Sequence, residues 1–166
     1  EQAGGGIGRR ERQRMSVAFR RESDEEHLEP KFEIPIPPGP NLVTEHGLAM
    51  IQAKVVELEA LLATLTDEEE IKAARRELRY WGTRQATAQL VPLPDGETVE
   101  FGCSVTFRLN GQERTIRIVG DDEADPAAGL ISFSAPLSRA MMEAEAGEMV
   151  AFGGKADAIE ILAIKT

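Results

Sequence analysis

The apolar residues Leu48, Ile51, Val55, Leu58, Leu62 and Leu65 recur at alternating steps of three and four, the spacing that lays a seam along one helix face. The acidic run Asp67, Glu68, Glu69 and Glu70 follows, and Ile71, Ala74, Leu78, Trp81, Gln85 and Ala88 then repeat the rhythm. Two helices of similar length with acids at the turn predict an antiparallel helical hairpin, a short coiled coil with a charged tip, over residues 42–91. Thr44 is a good N-cap for the first helix. Thr66 and Glu69, three residues apart, predict a capping box for the second, where acids also complement the helix dipole. At 1.5 Å per residue, helices of about 20 residues are roughly 30 Å long. Such a rod has little core of its own and is shaped to reach into something.

From residue 92 the period changes to two. Val99, Phe101, Cys103, Val105, Phe107 and Leu109 alternate with Glu100, Gly102, Ser104, Thr106 and Arg108, one face inward and one outward. Asn110-Gly111 supplies the positive-φ pair of a tight hairpin turn, and residues 115–119 return as a second strand. A polar loop, 120–129, precedes a short strand at 131–134. Pro136 can open a helix that Gly147 ends, and strands at 148–152 and 158–165 close the domain. The expected fold is α+β, a helical hairpin followed by an antiparallel sheet carrying one helix. Residues 1–41 differ from both, opening on Gly4-Gly5-Gly6 and ending near Pro37-Pro38-Gly39-Pro40, which predicts a disordered or extended arm. Its arginines, Arg9, Arg10, Arg12, Arg14, Arg20 and Arg21, precede a block of acids, Glu22, Asp24, Glu25, Glu26, Glu29 and Glu33. The arm reads either as a patch that touches a nucleic-acid backbone or as a solvated tail. Met15 is a candidate natural start.

Composition narrows the function. A net charge of −10 over 166 residues argues against a protein that grips nucleic acid through a basic surface, and favours a protein partner. Cys103 is the one cysteine and reads as a small buried apolar residue. No stretch approaches the roughly 20 apolar residues that span a bilayer, and no apolar leader core is visible, so no membrane role and a cytoplasmic location are expected. His27 and His46 lie far apart without a triad or ligand pattern, and phosphate-binding and dinucleotide fingerprints are absent. The expectation is a protein with no catalytic residue, metal site or cofactor of its own.

The run Ile118-Val119-Gly120-Asp121-Asp122-Glu123-Ala124-Asp125, with Gly129-Leu130-Ile131-Ser132, Ala135-Pro136-Leu137-Ser138-Arg139-Ala140-Met141-Met142 and Gly147-Glu148, closely resembles the C-terminal domain of the GreA/GreB transcription elongation factors. Thr44-Glu45-His46-Gly47-Leu48 is similar to the opening of their first helix. The resemblance implies an FKBP-like domain over residues 92–166 that docks on bacterial RNA polymerase at the rim of its secondary channel, and a coiled coil that enters the channel. The docking residues it implies are Asp122, Glu123, Ala124, Asp125 and Pro126 in the polar loop, and Pro136, preceded here by Ala135 where the family usually has Ser. The same loop also reads as a solvated connector.

One departure bears on mechanism. The family's cleavage factors carry an Asp and a Glu in a tip motif of the form GDLSENAEY that help bind a second Mg²⁺, and this chain lacks it. Asp67, Glu68, Glu69 and Glu70 stand there instead, as candidates to share Mg²⁺ with the polymerase active site or simply to cap a helix. The hairpin also looks shorter, and about six residues fewer per helix would withdraw the tip by about 9 Å. Lys72, Arg75, Arg76 and Arg79 form a basic strip that either faces nucleic acid or the channel wall, or pairs with Glu57, Glu59 and Glu77. The expected function is a Gre-like regulator of elongation that inserts a short acidic tip and meets nucleic acid only indirectly, within the elongation complex. Transcript cleavage and regulation of a nucleoside-diphosphate kinase are the alternatives. An FKBP-type prolyl isomerase needs an aromatic-lined pocket, for which residues 92–166 offer only Phe101, Phe107, Phe133 and Phe152.

Overall fold

A computed structural model describes residues 33–166. The arm's arginines, Met15 and His27 lie outside the described residues. Spatial contacts divide the chain into two units, one made of Pro37–Thr64 with Trp81–Thr166, the other of Leu65–Tyr80 with the segment that ends at Ile36.

Helix α1 (Glu45–Leu62) begins as the spacing predicts, with the Thr44 hydroxyl accepting the Gly47 N–H at 2.9 Å from an extended backbone. Helix α2 (Glu68–Thr87) follows a break over residues 63–67. Its cap is Asp67, one residue beyond the expected Thr66. The Asp67 carboxylate accepts the Glu70 N–H at 3.0 Å and its carbonyl accepts the Ile71 N–H at 2.9 Å. A carboxylate at this end also meets the positive pole of the helix, an advantage a hydroxyl lacks. The seam positions are sheltered, with Ile51, Leu58 and Ala74 buried and Leu48, Val55, Leu62, Ile71, Leu78 and Trp81 half-buried, and off the seam Met50, Lys54, Arg76 and Tyr80 are half-buried too. The rhythm fails near the end of α2, where Gln85 is exposed and Arg84 is buried instead.

The chain enters and leaves the helices through two short strands, β1 (Leu42–Val43) and β2 (Gln89–Leu90), which pair in parallel. The Gln89 N–H donates to the Asn41 carbonyl at 2.8 Å and the Val91 N–H to the Val43 carbonyl at 3.0 Å. The main sheet runs β5-β4-β3-β7-β6, built from β3 (Ser104–Leu109), β4 (Gln112–Val119), β5 (Leu130–Ser132), β6 (Met149–Phe152) and β7 (Lys155–Lys165). Asn110 and Gly111, at φ of 54° and 76°, close the β3–β4 hairpin as their pairing predicts.

Three features depart from the expected sheet. Strand β5 lies parallel to β4, so the sheet is mixed rather than antiparallel, because the connection between them doubles back before pairing. Strand β3 starts only at Ser104: Gly102 at φ 93° and a Cys103 N–H to Glu100 carbonyl bond turn the chain, while Val99, Phe101 and Cys103 still face inward. Helix α3 (Pro136–Met141) stops before Gly147, because Val99 exchanges backbone bonds with Glu143 and Ala144, at 2.8 and 2.9 Å, in place of another helical turn. The core gathers Val99, Phe101, Cys103, Val105, Phe107, Ile116, Ile118, Met141, Ile159 and Ile161, with Phe133 set edge-on against Phe101 at 5.6 Å. Burial pushes the Cys103 thiol above its ordinary pKa, consistent with an inert packing role. No helix among the described residues is long and apolar enough to cross a membrane.

Candidate functional site

The loop that follows β4 leaves the sheet at Gly120, where only glycine fits. A Cβ there would lie 2.3 Å from the Leu42 carbonyl oxygen. The loop is closed at its far end by Asp125 and Leu130, whose backbones bond both ways at 2.7 and 3.1 Å. Between them Pro126 starts a single 3-10 turn (Pro126–Ala128) and Gly129, at φ 80°, ends it.

Three consecutive carboxylates in this loop turn toward the protein, each to a different element. Asp121 accepts hydrogen bonds from the Ser132 and Ser134 hydroxyls at 2.5 and 2.8 Å, tying the loop to the turn before Pro136. Asp122 accepts from Arg84 Nε at 2.5 Å, with the two side chains only 6% and 2% exposed. The Arg84 Nη2 donates to Asn41 Oδ1 at 2.8 Å, and the Asn41 amide returns bonds to the Arg84 carbonyl at 2.8 Å and the Thr87 hydroxyl at 3.1 Å. Glu123 accepts from the Thr44 hydroxyl at 2.5 Å and meets His46 Nδ1 at 3.1 Å. It lies so close to α1 that a Cβ on Gly47 would come 2.8 Å from its Oε1. The carboxylate thus sits where the helix dipole favours negative charge. The loop therefore clamps the start of α1, the end of α2 and strand β1.

This places the residues expected to dock in two groups. Asp122 and Glu123 are committed inside the molecule and Ala124 is half-buried, whereas Asp125 and Pro126 are exposed. Pro136 is exposed at the start of α3, where it lines an open groove with Arg139, Ala140, Ala151, Phe152 and Gly153. Beside the clamp lies a largely apolar cleft of about 590 Å³, lined by Leu90, Leu93, Pro94 and Arg117 among others. The Thr44 hydroxyl next to it already donates to Glu123 and accepts from Gly47, so it is spent on structure rather than poised as a nucleophile.

All four tip acids are exposed, with Asp67 capping α2 and Glu69 4.0 Å from Lys72. Among the described residues no group of three or more His, Cys, Asp or Glu is arranged to hold a metal ion. In the basic strip, Arg79 forks onto Glu33, with Nε–Oε1 at 2.8 Å and Nη2–Oε2 at 2.5 Å. That contact holds the Glu33 carboxyl below its usual pKa. Arg75 is exposed and Arg76 half-buried. Sequence reasoning missed Arg84 and Asn41. The available signal was Gln85, a polar residue at a seam position, which marks where apolar packing ends.

Residues 93–166 match the family described as "Transcription elongation factor, GreA/GreB, C-term". The chain is 41% identical over 68 residues to transcription elongation factor GreA of Maricaulis maris, covering 39% of this chain and 43% of that protein. It is 42% identical over 86 residues to the GreA proteins of Allorhizobium ampelinum and Caulobacter vibrioides, covering 48% of this chain and 54% and 55% of theirs. The chain thus spans about half the length of the curated relatives it matches. Among solved structures, the GreA factor homolog 1 (Gfh1) of Thermus thermophilus aligns at 15% identity and a TM-score of 0.37, covering 77% of this chain and all of that one. The GreA/GreB factor of Nitrosomonas europaea aligns at 20% identity and the same TM-score, covering 78% and 100%.

Proposed function

We propose, from the match of residues 93–166 to the GreA/GreB C-terminal family, that the chain is an elongation regulator of that family, docking on bacterial RNA polymerase through Asp125, Pro126 and Pro136. In this reading the helical segment between β1 and β2 is the part that enters the secondary channel, carrying Glu68, Glu69 and Glu70. The carrying observation is the loop after β4, which presents Asp125 and Pro126 to solvent from an anchored base, on the segment that matches the family. Loops held by a rigid scaffold are where binding residues concentrate. The protein acts by occupancy and charge at the channel rather than by chemistry of its own, since Asp67 is engaged in capping and the family's tip motif is missing. Any Mg²⁺ it influences belongs to the polymerase active site. Contact with nucleic acid is indirect in this reading, which the net charge of −10 favours.

Immobilised protein should retain core RNA polymerase, and Asp125→Arg with Pro126→Ala should cut retention about tenfold, the loss of roughly one good interfacial contact. Both positions are exposed, so folding is spared. Failure of the parent protein to retain polymerase, or full retention by the variant, overturns the docking assignment. Backtracked elongation complexes supplied with Mg²⁺ and the protein should keep their transcripts at full length. Shortening that disappears when Glu68, Glu69 and Glu70 are replaced by Ala, with the Asp67 cap left intact, would instead establish a cleavage role.

A further inference from the structure

We infer that Arg84, Asp122 and Asn41 are positioning residues for polymerase docking: the buried Arg84–Asp122 pair fixes the presentation of Asp125 and Pro126 without touching the partner. The inference rests on the docking assignment above. Its first ground is access, because Arg84 and the Asp122 side chain are 2% and 6% exposed and no partner reaches them in the folded protein.

The second ground is the path of the loop. Gly120 leaves no room to shift against Leu42, and Asp125 is already bonded to Leu130, so only residues 121–124 span the gap. Of these, Asp122 is the one whose side chain is held by a fork: Arg84 Nε grips it while Nη2 grips Asn41, which in turn bonds back to Arg84 and Thr87. A planar guanidinium held at two points fixes direction as well as distance. The third ground is energetic. Buried ion pairs are often no better for stability than an apolar pair of similar volume, so stability alone is a weak reason for this one. What a fork supplies and an apolar pair does not is a single loop geometry three residues from the exposed Asp125.

If that geometry is held only part of the time, apparent affinity falls by the fraction that remains competent. The test compares the parent chain, Arg84→Met with Asp122→Leu, Arg84→Lys, and Asp125→Arg. Each is measured for polymerase affinity per folded molecule, melting temperature, and amide exchange at residues 120–125. The apolar double variant should melt within about 5 °C of the parent, bind about tenfold more weakly, and exchange the loop amides faster. Arg84→Lys, which keeps the charge and loses the fork, should show the same pattern at smaller amplitude, and it decides the matter if the double variant fails to fold. Parent-like affinity in the folded variants overturns the inference, as does weaker binding with loop exchange unchanged. Asp125→Arg should lose binding with loop exchange unaltered. If it binds like the parent, the docking assignment itself fails. If it loses binding while the Arg84 variants do not, the positioning role alone fails.

Discussion

The sheet and the base of the helices are held by different forces. In the sheet, Phe107, Val105, Ile116, Ile118, Ile159 and Ile161 exclude water together, and their attraction has no preferred direction. At the base, Arg84, Asp122, Asn41, Thr44 and Glu123 grip through short polar contacts that work only in one arrangement. An apolar core loses in proportion to the volume trimmed from it, and no second change at another site restores it. A buried polar clamp loses a partner and strands a charge, which costs more than the bond itself was contributing.

That contrast can be broken or sharpened in order of expected effect. Phe107→Ala should destabilise by about 3–5 kcal/mol, as cavities in cores do, and denaturant unfolding measures it. Asp122→Ala should cost a comparable ~3–5 kcal/mol by leaving Arg84 buried and uncompensated. The distinction lies in repair: adding Arg84→Met should recover most of the second loss and none of the first, and equal behaviour would erase the contrast. Thr44→Ala, which removes the α1 cap and a donor to Glu123, should cost about 1 kcal/mol. The smallest effect concerns Glu33. Its folded pKa is depressed by the side-chain bond from Arg79, so the pair's contribution is present above the ordinary carboxylate pKa and is lost as pH falls through the lowered folded value. In Arg79→Ala an NMR titration of Glu33 should return to the usual carboxylate range.

Much of the architecture was legible because it is written in local periods. The three-four rhythm located α1 and α2, although Leu65, counted with the first seam, falls in the break over residues 63–67 and Glu68, Glu69 and Glu70, expected at the turn, open α2; Asn110-Gly111 located the β3–β4 turn. Burial of Val99, Phe101 and Cys103 followed from alternation even though the backbone there is a turn, since facing inward does not require an extended strand. The site was legible only as a place. The family resemblance pointed to the loop, yet the direction each carboxylate takes depends on groups far along the chain: Arg84 lies 38 residues from Asp122, and Thr44 lies 79 from Glu123. No pattern in residues 121–126 distinguishes an acid that points inward from one that meets solvent. The parallel course of β5 was hidden for a similar reason, because a three-residue strand has too little alternation to reveal its direction.

The pairing of β1 with β2 brings the two ends of the helical segment side by side. Residues added in equal number to α1 and α2 therefore leave Leu42, Val43, Gln89 and Leu90 where they are, and lengthening a closed excursion raises its entropic cost only slowly. The span of the excursion is thus a free dimension: it can be shortened or extended across evolution, or by an engineer, while the anchorage stays the same.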